Sequence, residues 1–230
     1  MTLLSVVKSV CATVGVAIPQ SVFSNLTGNR TMQEMLDLAN EMAQRIAYNT
    51  REWTRFKVTC TYAGDDVTTA FNLPDNYKRM LLTSNVWRST STQRPMLFVP
   101  DTDAWLNRRV TGQTNGWGEW TIIGGQMHIF PAMITGQIAY FVYIDKNCIA
   151  LKSGGFGDTF TADDDSFALD ERLLKLGMIW QWKANKGGAY AEDMGTYNDA
   201  MAYAMGSDKP SPIMVDRQPI AGTWNGSYLQ

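Results

Sequence analysis

A chain of 230 residues that is 45% hydrophobic and 18% charged can bury a sizeable core without disulfide staples, removing roughly 70% of its unfolded surface from water. Its net charge of -2 lacks the basic footprint of a protein that grips phosphate backbones, which argues against tight nucleic-acid binding. Cys11, Cys60 and Cys148 are odd in number and far apart, so they predict neither a disulfide framework nor a zinc site and read as small apolar core residues.

Met1 to Gln20 holds an apolar run, but it has no basic start and Lys8 falls inside it, where a secretion signal is uncharged. Leu3, Val6, Val7, Val10 and Val14 recur at helical spacing, so an amphipathic first helix is expected there. No stretch approaches the ~18 consecutive apolar residues of a membrane span, and a soluble protein is expected. After a connector from Gly15 to Asn29, Thr31 and Glu34 have the spacing of a capping box, which predicts a helix starting there and running to about Asn49. Met32, Met35, Leu36, Ala39, Met42, Ala43 and Ile46 form its apolar stripe.

From Trp53 the period changes to two, with Phe56, Val58 and Cys60 alternating against Lys57 and Thr59. The same texture returns at Trp120 to Ile123, Gln126 to Phe130 and Gln137 to Ile144. Gly124-Gly125 supplies a hairpin turn between the first two, and Pro131 to Gly136 reads as a looser turn after the second. Pro100 to Asp103 ahead of Ala104-Trp105-Leu106 predicts a short capped helix. Residues 53–147 are therefore expected to be strand-rich with one helical excursion.

A polar stretch from Lys152 to Ser166 leads into a long apolar segment. Leu169, Leu173, Leu174, Leu176, Met178, Ile179, Trp180 and Trp182 make a helix apolar on most of its circumference, which predicts cover on several sides. Lys186-Gly187-Gly188 ends it, and a second helix follows with Tyr190, Met194, Tyr197, Met201 and Ala204 on one stripe. Together they predict an αα-hairpin from Leu169 to Gly206, with Leu173, Leu176, Ile179, Trp180, Trp182, Tyr190 and Tyr197 as its scaffold. Beyond Gly206, Lys209-Pro210-Ser211-Pro212 blocks helix, and Ile213, Val215, Ile220, Trp224, Tyr228 and Leu229 are scattered through a Pro, Gly and Ser-rich tail. Such a tail either orders against a partner or folds back on its own domain.

Candidate chemistry is thin. His128 is the only histidine and falls in a strand pattern, which leaves no multi-imidazole metal site and no base for a Ser-His-Asp or Cys-His mechanism. Asp163-Asp164-Asp165 with Asp158 lacks the spacing of a calcium loop and reads as a solvated loop before a helix. Carboxylate pairs for glycoside hydrolysis can be drawn from Asp103, Glu119, Glu171 and Glu192, with no spacing to select one. Gly154-Gly155-Phe156-Gly157 matches no phosphate cradle and reads as a flexible loop. Trp105, Trp117 and Trp120, among Asn115, Gly116 and Gly118, form either an aromatic platform for sugars or anchors for subunit contacts. No catalytic, metal or cofactor residue is assigned, and the chain reads as a non-enzyme.

The run Leu176-Gly177-Met178-Ile179-Trp180-Gln181-Trp182-Lys183, continued by Lys186-Gly187 and Tyr190-Ala191-Glu192-Asp193, resembles the helical hairpin of the adaptor proteins of tailed bacteriophages, neck subunits that sit beneath the portal and join head to tail. Met35 to Glu41, Phe71 to Tyr77 and Phe160 to Asp163 match the same family in order, so the resemblance covers about residues 31–206. It implies an α+β fold in which N- and C-terminal helices pack as a helical bundle (1–52 and 167–207) around a β-rich insertion (53–166), with an extended C-terminal arm (208–230). It further implies a structural virion protein of the neck, made in the bacterial host cytoplasm. The expected assembly is a ring of about twelve copies, with the portal protein above, a tail or nozzle protein below, and DNA passing through without specific binding. The arm residues Ile213, Val215, Ile220, Trp224, Tyr228 and Leu229 are its candidate portal contacts. A tryptophan-based carbohydrate-binding module or a phage-associated cell-wall hydrolase are the alternative readings.

Overall fold

The computed structural model describes residues 2–89 and 94–208. It is a mixed α+β chain in which one helix is enclosed by three others. That helix, α4 (Glu171–Asn185), is capped by the Asp170 side chain accepting from the Arg172 N–H at 2.8 Å. It packs against α1 (Leu3–Val14), α2 (Arg30–Gln44) and α5 (Ala191–Ser207), which explains why Leu173, Leu174, Met178, Ile179, Trp180 and Trp182 are all buried. Gly187, at φ +72, turns the chain out of α4 as a left-handed residue must.

α1 begins on a reciprocal cap between Thr2 and Ser5 and buries Leu3, Val6, Val7, Val10 and Cys11, while Val14 is half-buried. α2 starts one residue before the expected cap. Asn29, not Thr31, holds extended backbone and accepts from the Met32 N–H at 3.3 Å, so Thr31 lies inside the helix and Glu34 turns its carboxylate to Arg30 and Lys186. Asn is at least as good an N-cap as Thr, and Gly28 at φ +80 brings the chain in at Asn29. α2 runs on through a π-helical turn, Arg45–Asn49, that buries Ile46 and Ala47.

Phe56 closes a 3-10 turn, Thr54–Phe56, rather than lying in the strand; β1 (Lys57–Ala63) starts just after it. β1 pairs antiparallel with β8 (Ile138–Asp145), whose other edge takes β3 (Tyr77–Met80) and β4 (Trp87–Arg88). A second sheet has the order β2 (Ala70–Asn72), β7 (Gln126–Phe130), β6 (Glu119–Ile123), β5 (Leu97–Phe98). β6 and β7 form the expected hairpin on Gly124 and Gly125, at φ +60 and +78. Pro131 to Gly136 is not a hairpin turn: it carries the chain from β7 in one sheet to β8 in the other. Alternation gives a strand's buried face but not its partner, and both strands have a better-matched neighbour elsewhere.

The two sheets meet face to face over Trp120, Met127, Ile129, Ala139, Phe141 and Tyr143. α3 (Thr102–Thr111), capped by Asp101, covers the outer side of the second sheet, with Trp105 edge-on to His128 and Phe130 at 6.4 and 6.5 Å. The stretch after Asp145 is also more ordered than its polarity suggests: β9 (Ile149–Ala150) is flanked by β10 (Phe156–Gly157) and β11 (Ser166–Phe167). Gly154 and Gly155, at φ +98 and +81, make the turn that returns β10 to β9, so this glycine run is a tight turn. A separate hydrophobic cluster joins the α1, α2, α4 and α5 side chains to Trp53, Phe56, Ile144, Ile149 and Phe167.

Candidate functional site

Hydrogen bonds and rings tie the α4–α5 hairpin together from its turn inward. Lys183 Nζ meets Asp193 Oδ2 at 2.6 Å across the turn, and Trp180 lies 6.4 Å from the Tyr190 ring and 6.1 Å from Tyr197. Arg45, at the end of α2, stacks over Trp180 at 5.4 Å, and Lys186 stacks over Trp182 at 4.7 Å. Of the scaffold residues, Leu173, Ile179, Trp180, Trp182 and Tyr197 are buried and Leu176 is half-buried. Tyr190 stands at the N-cap of α5 and is 40% exposed. On α5 only Tyr197 and Met201 are buried, while Met194 and Tyr203 face outward, so this helix has the least covered surface of the hairpin.

Between α2 and the end of α4 lies a cleft of about 490 Å³ lined by Arg30, Glu34, Asp37, Glu41, Trp182 and Lys186. Lys186 Nζ at 2.6 Å and Arg30 Nε at 2.9 Å hold the Glu34 carboxylate below its ordinary pKa. The Lys186–Glu34 pair joins the end of α4 to α2, while Arg30 reaches the same carboxylate from within α2.

The triple aspartate is a clasp rather than a solvated loop. Asp165 is buried and accepts from Lys152 N at 2.8 Å, Thr161 N at 2.7 Å, Thr161 Oγ1 at 2.9 Å and Ala162 N at 2.8 Å. Burial opposes its ionised form, but these donors outweigh it and keep its pKa below the usual carboxylate value. Asp163 Oδ1 accepts from the Val22 and Phe23 N–H groups, and the Asp165 and Asp163 carbonyls take the otherwise unpaired Leu3 and Leu4 N–H groups of α1. Only Asp164 reaches outward, to Lys152 Nζ at 3.1 Å. The Asp163 and Asp165 carboxylates are thus taken by backbone donors from three segments, residues 22–23, 152 and 161–162.

The aromatic platform does not form. Trp105 and Trp120 are buried in opposite faces of the second sheet, leaving Trp117 partly exposed beneath Arg94 at 5.3 Å. Among the hydrolase candidates, Glu119 is buried under α3 and bound by Arg108, Asp103 lies in the first turn of α3, and Glu171 and Glu192 sit on the helical hairpin. Among the described residues no three His, Cys, Asp or Glu side chains group as a metal site, and no helix is long and apolar enough to cross a membrane.

At the far end of α5 the chain is fixed to the start of the β region. Arg51 donates to the Met205 carbonyl and pairs with Asp208 at 3.3 Å, and the Asp208 carboxylate accepts from the Thr54 N–H at 3.2 Å. Ile213, Val215, Ile220, Trp224, Tyr228 and Leu229 lie outside the described residues. A family model described as SU10 adaptor protein matches residues 1–217, from α1 past this anchor. The chain belongs to the SU10 adaptor family.

That family is one of phage head-to-tail adaptors, so this SU10 adaptor is a structural phage protein of the virion neck, placed to contact head and tail proteins. No curated protein matches the chain. The Asp208 anchor and the part of the aspartate clasp that reaches Val22, Phe23 and Lys152 join residues far apart in the chain, which no local pattern encodes. The local signals are the Thr161 to Asp165 turn and an acid followed by a proline-blocked segment at Asp208 to Pro212.

Proposed function

We propose that this SU10 adaptor forms a ring of about twelve copies beneath the portal and connects head to tail, with DNA passing through the ring. The observation that carries the proposal is the family match over residues 1–217, which spans the helices, all three sheets and the root of the arm. In this reading 1–52 and 167–207 are the helical bundle domain, 53–166 the inserted β-rich domain and 208–230 the arm that engages the portal. The division of hydrophobic side chains between a helical cluster and a sheet cluster supports it, with Ile144, Cys148, Ile149 and Phe160 as the seam that binds the insertion to the helices.

The mild negative charge suits a channel that must not hold DNA. Two of the basic groups nearest one another in sequence are already engaged, Arg108 by Glu119 and Arg109 over the Phe130 ring at 4.6 Å. The test is to mix the full chain with the portal protein of the phage that encodes it and count bound copies by native mass spectrometry. A ring of bound copies that is lost on deleting Ser211 to Gln230 supports both the ring and the arm. A full chain that does not bind the portal overturns the reading, and a truncated chain that binds equally well overturns the arm's role.

A further inference from the structure

Two of the apolar surfaces that the described β region leaves without cover lie on opposite sides of it. From one side to the other its layers are α3, the β5-β6-β7-β2 sheet, the shared core and the β1-β8-β3 sheet. On the α3 side Asp103, Leu106, Asn107 and Val110 form one helical stripe, i, i+3, i+4 and i+7, facing away from Trp105. Leu106 is 53% exposed and Val110 87%. On the other side Trp87 pairs across the strands with Tyr140, and Tyr140 with Thr61, so the three side chains share the outer face of that sheet. Trp87 is 45% exposed and Tyr140 38%, in a groove walled by Thr83 to Asn85 and floored by Thr59 and Val142.

The charges are complementary as well. The α3 groove is rimmed by Asp101 and Asp103, whereas the outer positions of β1 and β8 from Lys57 to Thr61 and from Tyr140 to Val142 carry one cation, Lys57, and no acid, and the nearby Glu52 is taken by Arg79. The spacings agree: Asp103 and Asp101 precede Val110 along α3 by about 10 and 13 Å, and Lys57 precedes Thr61 along β1 by about 13 Å. A helix laid along β1 with Val110 on the Trp87–Tyr140 pair thus brings its acidic end to Lys57. Because the two surfaces are on opposite faces, one copy cannot satisfy both on itself.

We propose that the outer stripe of α3 docks on the Trp87–Tyr140 face of the next copy, forming the contact that propagates around the ring; this rests on the homo-oligomeric reading above. Such a contact joins two different surfaces, so every copy added leaves one of each free until the ring closes. The half-exposed aromatic pair supplies the residue types that dominate interface energetics.

Val110→Cys and Thr61→Cys chains, made separately in the full-length protein, test it under mild oxidation, alone at high concentration and on the purified portal protein. Disulfide-linked pairs in the mixture, with neither chain linking to itself, are expected. Reversing Asp103→Lys weakens assembly about tenfold and Lys57→Glu restores it, which a merely unstable variant does not do. Assemblies that form without the mixed linkage overturn this contact and leave the ring reading standing. A linkage of either chain with itself makes the interface two-fold and overturns it too. Shielding of Trp87 from fluorescence quenchers only when the tail protein is added assigns the face to that partner instead. No assembly under any condition overturns the contact together with the ring.

Discussion

Met42 of α2 and Gly177 of α4 fit together because Gly177 has no side chain: a Cβ built there would overlap the Met42 methyl and lie 3.3 Å from the Tyr197 ring. One glycine thus sets how closely α2 and α5 approach the central helix. Ala at this position gains about 1 kcal/mol of helix propensity. Methionine is the most adaptable neighbour available to yield. Gly177→Ala is therefore expected to stay within about 1 kcal/mol of the native stability, whereas Gly177→Leu costs about 2 to 3 kcal/mol by overpacking. Urea unfolding followed by tryptophan fluorescence distinguishes them; equal effects would mean that the helices separate freely at this point.

Gly64 gives the contrasting case. A Cβ there would stand 2.5 Å from the Ile134 carbonyl oxygen and 2.6 Å from that of Met133, both backbone atoms that no rotamer change removes. Gly64→Ala is expected to destabilise the protein by about 1 to 3 kcal/mol, although the residue is only half-buried and its φ is unremarkable. A melting temperature within a degree of the native value would show that the Pro131 to Gly136 connection shifts to make room.

These two glycines mark the boundary of what the sequence makes legible. Gly187 and Gly124-Gly125 announce themselves because a helix end and a two-residue hairpin need φ > 0 locally, and Asp101 precedes its helix as a cap does. The burial of α4 is equally readable, since a helix apolar on most faces has few other places to lie. Gly64 and Gly177 are demanded by atoms from distant segments, and no local pattern encodes those. Tyr190 continues the α5 stripe in sequence, yet it precedes the first turn and stays partly exposed even with its ring against Trp180 of α4. The aspartates misled for the same reason: composition predicts solvation, while their partners Val22 and Lys152 are set by the fold.

Asp165 should make stability acid-sensitive. Its pKa is depressed in the folded chain, so its stabilisation is fully present above the unfolded carboxylate value near ~4 and is lost as pH falls through the lower folded value. Asp165→Ala strands three backbone N–H groups and one hydroxyl in a buried site and is expected to cost about 3 kcal/mol or more at neutral pH. The variant's disadvantage shrinks below pH ~4, where the native carboxyl protonates too. Chemical denaturation at several pH values reads both effects, and a constant difference across that range would separate the clasp from the carboxylate's charge.

Asp208 is tied to Arg51 and Thr54, which predicts that the start of the arm stays fixed whether or not a partner is bound. Asp208→Ala is expected to cost only about 1 kcal/mol globally, since the pair is partly exposed. Its local effect is larger: amide exchange at the last turn of α5 and at Thr54 speeds up while α4 is unchanged. Uniform acceleration across the hairpin would mean that the anchor supports the whole helical cluster rather than the root of the arm.

The cysteines give the cleanest chemical prediction. Cys11 and Cys148 have no exposure, and burial raises both thiols, Cys148 to about 11 beside the Tyr48 hydroxyl. At pH 8 that leaves about one Cys148 in a thousand as thiolate, on top of a closed path for reagent. Cys60 is half-buried on the inner face of β1 and is also raised by burial, so it too reacts slowly. A thiol reagent is expected to modify Cys60 alone in the folded chain over minutes to hours, and all three at once in denaturant. Because none of the three is both exposed and acidic, thiols introduced at Val110 and Thr61 will react well before the native ones, and a disulfide ladder under mild oxidation reports on subunit contact. Rapid labelling of Cys148 in native buffer would mean that the seam between the helices and the sheets opens easily.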